Sequence, residues 1–166
     1  MTEEMQMNTW RGTDRMTVRQ MIDVPPLWLA LFLMLVWAQA RYLPLLTFDF
    51  DLARTTGAVI ICLGILLMLW TIAVFRLHQT PVMPHQTPQH IITTGPFTQS
   101  RNPIYLGDVL VLLGAVVWFG AVPSFALIPL FVIILKRRFI APEEACMKEN
   151  FGPDFTAFAQ KTPRWI

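Results

Sequence analysis

The sequence predicts an all-α, polytopic membrane protein with about four transmembrane helices, the last two a tight helical hairpin, followed by a short helical C-terminal cytoplasmic segment. Three observations lead there. First, the 166 residues are 54% hydrophobic and only 14% charged, against about 25% charged in a soluble domain, so too few charges remain to coat a globule. Second, uncharged runs recur near the roughly 20 residues that cross a hydrocarbon core. Third, the basic residues fall in blocks between those runs. The same figures exclude other classes. A mean hydropathy of +0.48 is opposite to the signature of disorder, and a formal charge of +2 offers no broad positive footprint for nucleic acid. Cys62 in an apolar run and Cys146 in a polar segment make neither a disulfide framework nor a zinc site. The length suits a single membrane domain, 1–166.

Residues 1–23 mix Glu, Asp and Arg with scattered Met and lack the apolar core of a signal peptide, so an uncleaved cytoplasmic segment is expected. Residues 27–46 are apolar apart from Gln39 and Arg41, and Arg41 lies near enough to the end to snorkel toward head groups. This is the first span. Residues 55–75, between Arg54 and Arg76, hold 21 positions without a charge and form the second. From 109 to 135 no charge appears for 27 residues, too long a run for one ordinary span once residues 104–108 are added. Gly120, Pro123 and Ser124 supply breakers, giving short spans over 104–120 and 123–139. Charge placement favours four spans over three. With four, eleven of the thirteen basic residues share one face, leaving only Arg41 and Arg54 on the other, whereas three spans divide them eight to five at best. Lys and Arg accumulate in cytoplasmic segments, so both termini are expected in the cytoplasm.

The cytoplasmic loop 77–103 carries five prolines and all three histidines. Proline excludes long helices there. His78, His85 and His90 match no common metal spacing, so no metal site is expected. The loop closes on Gly95-Pro96-Phe97-Thr98-Gln99-Ser100-Arg101-Asn102-Pro103-Ile104-Tyr105-Leu106-Gly107. Most of these residues have a structural reading: Asn102 as an N-cap, Pro103 at the first helical position, Arg101 as a basic anchor, Tyr105 in the interfacial aromatic belt. Gly107 and Gly114, seven apart, share a helix face that another helix could approach closely. Asp108 differs. A carboxylate one turn inside a spanning helix is costly unless paired or facing a wet cavity, which makes it a functional candidate with Arg101 as one available partner.

After Lys136-Arg137-Arg138, a stop-transfer anchor, the segment 140–166 reads as a cap. A short helix starts at Pro142 and ends near Gly152, and a second follows Pro153 with Phe155, Phe158 and Ala159 on one side. Glu143 and Glu144 sit in a first turn, where the macrodipole favours acids, and Glu144 can pair with Lys148.

Taken together, Gly95-Pro96-Phe97, Arg101-Asn102-Pro103-x-Tyr105-x-Gly107, Glu143-Glu144 and the closing Phe-Gly-x-x-Phe-x-x-Phe…Arg-Trp-Ile resemble the superfamily of isoprenylcysteine carboxyl methyltransferases and phospholipid methyltransferases. The likeness runs from about Pro81 to Ile166. The family signature is Arg-His-Pro-x-Tyr-x-Gly followed after a hairpin by a Glu-Glu pair, and many bacterial relatives carry Asn in place of the His, as Asn102 does here. The family often has Tyr where this chain has Phe155 and Phe158, so contacts needing those hydroxyls are missing. The resemblance implies a bacterial inner-membrane enzyme that uses S-adenosylmethionine. It implies that Arg101, Asn102, Tyr105, Gly107, Glu143 and Glu144 lie around the cofactor; joined to the reading of the residues, Arg101, Asn102 and Asp108 are the expected catalytic residues, and Tyr105, Gly107, Glu143, Glu144 and Arg164 the expected cofactor contacts. It also implies a lipophilic acceptor, a small molecule or lipidated substrate, arriving from membrane lipid.

The residue types agree with such chemistry. A sulfonium donor already carries an activated methyl, so the protein's task is to bind, orient and exclude water. Carboxylates can accept hydrogen bonds from ribose hydroxyls or an amino group, and Arg can clamp a carboxylate. No Gly-x-Gly-x-x-Gly occurs, so a Rossmann-type site is not expected. Two other readings stand beside this one: a non-catalytic accessory or assembly protein, and an NADPH enzyme resembling the sterol reductases, for which the chain is short.

Overall fold

The structure, a computed structural model, describes residues 24–44, 46–78 and 91–166. The expected N-terminal segment 1–23, and His85 and His90, lie outside the described residues. Among the described residues the chain is helical, with one isolated antiparallel bridge between Thr47 and Ala121.

Helix α1 (Pro25–Tyr42) opens on two prolines, whose missing N–H groups cost nothing in a first turn. It stops before the expected position 46 because Pro44 disfavours helical backbone at Leu43, which sits at φ −132°. The side chain of Gln39 donates to the Leu43 carbonyl at 2.8 Å and closes the end. The chain then turns, and the Phe48 amide donates to Gly120 at 3.2 Å.

Helix α2 (Asp51–Leu77) is 27 residues long, with Asp51 in its first turn and Arg76 in its last, both complementing the macrodipole. At 1.5 Å per residue it reaches about 40 Å. Among the described residues it is the helix long and apolar enough on its own to cross a membrane. Leu52, Val59, Leu63, Leu66 and Leu69 are exposed along it, whereas Ala53, Gly57, Gly64, Thr71 and Val74 form its buried stripe.

Helix α3 (Pro103–Trp118) begins with Pro103 at the first helical position. Gly120, at φ +58°, turns the chain in a conformation that penalises any Cβ. A 3₁₀ turn (Val122–Ala126) leads into α4 (Leu127–Leu135), and a π-helical turn (Lys136–Ile140) joins α4 to α5 (Ala141–Lys161). The run 123–139 is therefore a 3₁₀, α and π succession rather than one plain helix. In the π turn, Lys136, Arg137 and Arg138 stay exposed while Phe139 and Ile140 enter the core. Helix α5 kinks at Gly152, where φ +47° precedes Pro153, so the two expected short helices meet end to end.

The α2–α3 contact is the most extensive in the fold. It is made backbone to backbone through two glycine pairs on antiparallel helices. A Cβ on Gly57 would lie 2.7 Å from the Gly114 carbonyl oxygen, and one on Gly64 would lie 2.8 Å from that of Gly107. Small residues permit such approach, and within lipid packing is what drives helices together. The main core joins Phe32 and Val36 of α1, Tyr105, Leu112 and Val116 of α3, Phe131 and Leu135 of α4, and Phe139 and Ile140. A smaller cluster of Val74, Ile92, Phe97, Phe155 and Phe158 seats α5 against the end of α2. Phe155 and Phe158 are thus buried core residues, positions where a phenolic hydroxyl would require a partner.

Candidate functional site

The site forms where the 3₁₀ turn Gly95–Thr98, the start of α3, the first turn of α5 and the chain's end converge. Phe97 is buried in the smaller cluster, and the Ser100 amide donates to the Pro96 carbonyl at 3.2 Å. This tight path delivers Ser100, Arg101 and Asn102 to the mouth of α3. Asn102 occupies the N-cap position without making the side-chain cap bond expected of it. Its Nδ2 donates instead to the Arg164 carbonyl at 3.3 Å.

Two charged contacts lie side by side. In the first, the Tyr105 hydroxyl donates to Glu143 Oε1 at 2.6 Å, with the Tyr105 ring stacked on Phe139 at 6.3 Å between centroids. The π turn therefore sets both the ring that supports Tyr105 and the helix that carries Glu143. In the second, Glu144 receives two guanidinium groups. Arg101 approaches its Oε1 at 3.1 Å, and Arg164 donates from Nε at 3.0 Å and from a terminal nitrogen to the other oxygen. Planar, bidentate Arg–carboxylate pairs are the strong class of ion pair. The hydrogen bond to Glu144 raises Arg164 above the ordinary guanidinium value; burial opposes the rise and the Glu144 charge adds to it.

Asp108, one turn deeper along α3 than Tyr105, is 1% exposed, and neither carboxylate oxygen meets a hydrogen-bond donor among the described residues. Arg101, its expected partner, has turned to Glu144. Glu144 in turn takes Arg101 and Arg164 in place of Lys148, which stays exposed. Gly107 faces α2, against Gly64 and Met68. The structure therefore brings together Arg101, Asn102, Glu144 and Arg164, with Tyr105 and Glu143 beside them. Asp108 lies below, and Gly107 is turned to the neighbouring helix.

Two contributors carried no signal in the sequence. Ser100, 2% exposed, donates to the Arg164 carbonyl at 3.2 Å and accepts from the Asn102 amide at 3.2 Å. Phe139 looked like one more apolar residue after a basic anchor. Arg138 lies over the Trp28 ring at 5.4 Å, tying the π turn to the start of α1.

This arrangement offers carboxylates and guanidinium groups at one end of a helix bundle whose flanks are apolar. That combination suits a polar, partly zwitterionic molecule meeting a lipophilic one. The phospholipid methyltransferase family matches residues 52–154, well over half of the chain, from α2 through the hairpin to the kink in α5. Comparisons with curated proteins and with solved structures give no match. The matched stretch holds Arg101, Asn102, Tyr105, Asp108, Glu143 and Glu144, and Arg164 lies beyond it. The chain belongs to the phospholipid methyltransferase family, a family of membrane-associated methyltransferase enzymes.

Proposed function

We propose that the protein transfers a methyl group from S-adenosylmethionine to a lipophilic acceptor, lipid-like or isoprenylcysteine-like, at the cytoplasmic face of a bacterial inner membrane. It does so as a bundle of four spans with both termini in the cytoplasm. The observation that carries this reading is the convergence of Arg101, Asn102, Tyr105, Glu143, Glu144 and Arg164 at the mouth of α3, with the buried Asp108 one turn further along that helix. The donor set fits the cofactor. Arg101 Nε is a buried donor with no hydrogen-bond partner among the described residues, suited to an amino-acid carboxylate. Glu143 suits a ribose hydroxyl or an amino group.

S-adenosylmethionine supplies an activated methyl on a sulfonium. The residues of this chain bind, orient and keep water out. Tyr105 fixes the Glu143 carboxylate through its hydroxyl. Gly107 contributes by letting α2 close against α3. Asp108 faces the acceptor's polar head, where a carboxylate can hold or take a proton that the acceptor loses. Lipid from the bilayer reaches this point along the apolar flanks of α2 and α3.

Incubation of detergent-purified protein with methyl-labelled cofactor and a total lipid and peptide extract tests the reading, with label expected in the lipophilic fraction. Calorimetric titration adds a residue-level check. Losing a charged contact costs about 1.5–3 kcal/mol, so Glu143→Gln should weaken cofactor binding about 10- to 100-fold. Equal affinities would return Glu143 to a purely structural role.

A further inference from the structure

The last five residues leave α5 as non-helical chain, and two of their carbonyls are spent on the mouth of α3. Thr162 is 5% exposed, at φ −116° and ψ 125°, and its amide closes α5 by donating to Phe158 at 3.0 Å. The Pro163 carbonyl accepts from the Arg101 amide at 3.0 Å. The Arg164 carbonyl accepts from both Ser100 Oγ and Asn102 Nδ2, at 3.2 and 3.3 Å. Its guanidinium grips Glu144, and Trp165 packs on the main core. Three consecutive residues before α3 thus hold two consecutive residues of the chain's end, and Glu144 joins the same seam from α5. Of the side chains in this seam that look most like ligand-binding groups, Asn102 commits its Nδ2 to the Arg164 carbonyl and Glu144 commits both oxygens to the Arg164 guanidinium.

We infer that residues 162–166 are a strap across the cofactor side of the site, and that Glu144 and Asn102 are positioning residues. They act through Arg164 and Arg101, without touching the cofactor themselves. The inference rests on the proposed cofactor site. It divides the adjacent acids: Glu143 belongs to the binding surface, Glu144 to the clasp that shapes it. The division follows from geometry. Both Glu144 oxygens face guanidinium groups arriving from two different segments, so the carboxylate closes a joint between chain ends twenty and more residues apart.

A double-mutant cycle separates positioning from contact, because residues acting through one element lose additivity when that element is removed. S-adenosylmethionine affinity is measured for the full chain, for Glu144→Gln, for a chain ending at Lys161, and for the shortened chain carrying Glu144→Gln. The truncation is expected to weaken binding at least tenfold with helical content unchanged. Glu144→Gln should weaken the full chain by several-fold and alter the shortened chain less than twofold. Equal factors in the two backgrounds would show that Glu144 acts independently of the strap, and an unchanged affinity on truncation would remove the strap; either overturns the inference.

A cofactor-independent readout keeps the strap testable if the protein binds no S-adenosylmethionine, a result that would count against the proposed function alone. A spin label at Ile166→Cys, in a Cys62→Ser, Cys146→Ser background, should gain mobility on Glu144→Gln and keep its mobility on Lys148→Gln. A label indifferent to Glu144→Gln would mean that the clasp holds nothing.

Discussion

Asp108 offers the sharpest test, because stability and activity should move in opposite directions when it is replaced. Its side chain is 1% exposed, both oxygens lack a donor among the described residues, and it sits on the second turn of α3. Insertion scales place an acid at the centre of a spanning helix at about 2.5–3.5 kcal/mol, and a position nearer the helix end costs somewhat less. The isosteric Asp108→Asn keeps the shape and removes the charge, for an expected gain of about 1 kcal/mol, and Asp108→Leu should recover about 2 kcal/mol. If the carboxylate serves the acceptor, both variants lose methyl transfer at least a hundredfold while cofactor affinity changes less than threefold. Unfolding by detergent titration reads the first quantity, and label transfer to lipid reads the second. A leucine variant that is more stable and fully active would refute the functional assignment. One that is less stable would refute the premise that the carboxylate is unsatisfied.

Four further expectations follow from the packing and the charge distribution. Gly57→Ala puts a Cβ 2.6 Å from the Trp118 amide nitrogen and 2.7 Å from the Gly114 carbonyl, so it should destabilise the fold by about 1–3 kcal/mol in the same detergent titration. Gly152→Ala meets nothing within 4 Å, and its cost, about 1–2 kcal/mol, comes from backbone at φ +47° alone and should appear as local loosening of α5 in hydrogen exchange. Tyr105→Phe removes the donor that Glu143 receives at 2.6 Å and should weaken cofactor binding about tenfold by calorimetry. Reporter fusions after Ile166 and within the loop 77–103 should be active only in cytoplasmic form, since the proposed four-span arrangement would put eleven basic residues on that side.

What could be read from the sequence was what depends on neighbours along the chain. The helical class followed from uncharged runs, and the turn at Gly120 followed from a glycine beside Pro123, because φ +58° is costly for any other residue. The end of α1 was misplaced by four residues for a local reason: the run stays apolar past Tyr42, while Pro44 has already ended the helix. The partners of charged groups were not legible. Glu144 pointed to Lys148, four residues on, because helix periodicity exposes only neighbours of that kind. Its actual partners, Arg101 and Arg164, stand on segments that only the hairpin and the kink at Gly152 bring together. Asn102 has the accepting oxygen of a helix cap but engages a distant carbonyl by donating from its Nδ2, a choice that nothing in its own neighbourhood records. The π turn was equally hidden, since Lys136–Ile140 has no composition that distinguishes it from a continuing α-helix.

The paired glycines of α2 and α3 constrain how the sequence can drift. When two side chains pack, an enlargement on one side can be answered by a reduction on the other, and the pair wanders together through sequence space. Gly57 and Gly114 leave no such exit: each meets the other's main chain, and neither can become smaller. A change at either position has no second-site suppressor at its opposite number, so selection acts on the two independently. Gly107 meets two kinds of obstacle, the flexible side chain of Met68 and, 2.9 Å from its Cβ, the Gly64 carbonyl oxygen, so a shorter residue at 68 would relieve only part of the clash. Random mutagenesis followed by reversion should therefore return at most partial suppressors at position 68 for lesions at 107, and only true revertants for lesions at 57 and 114.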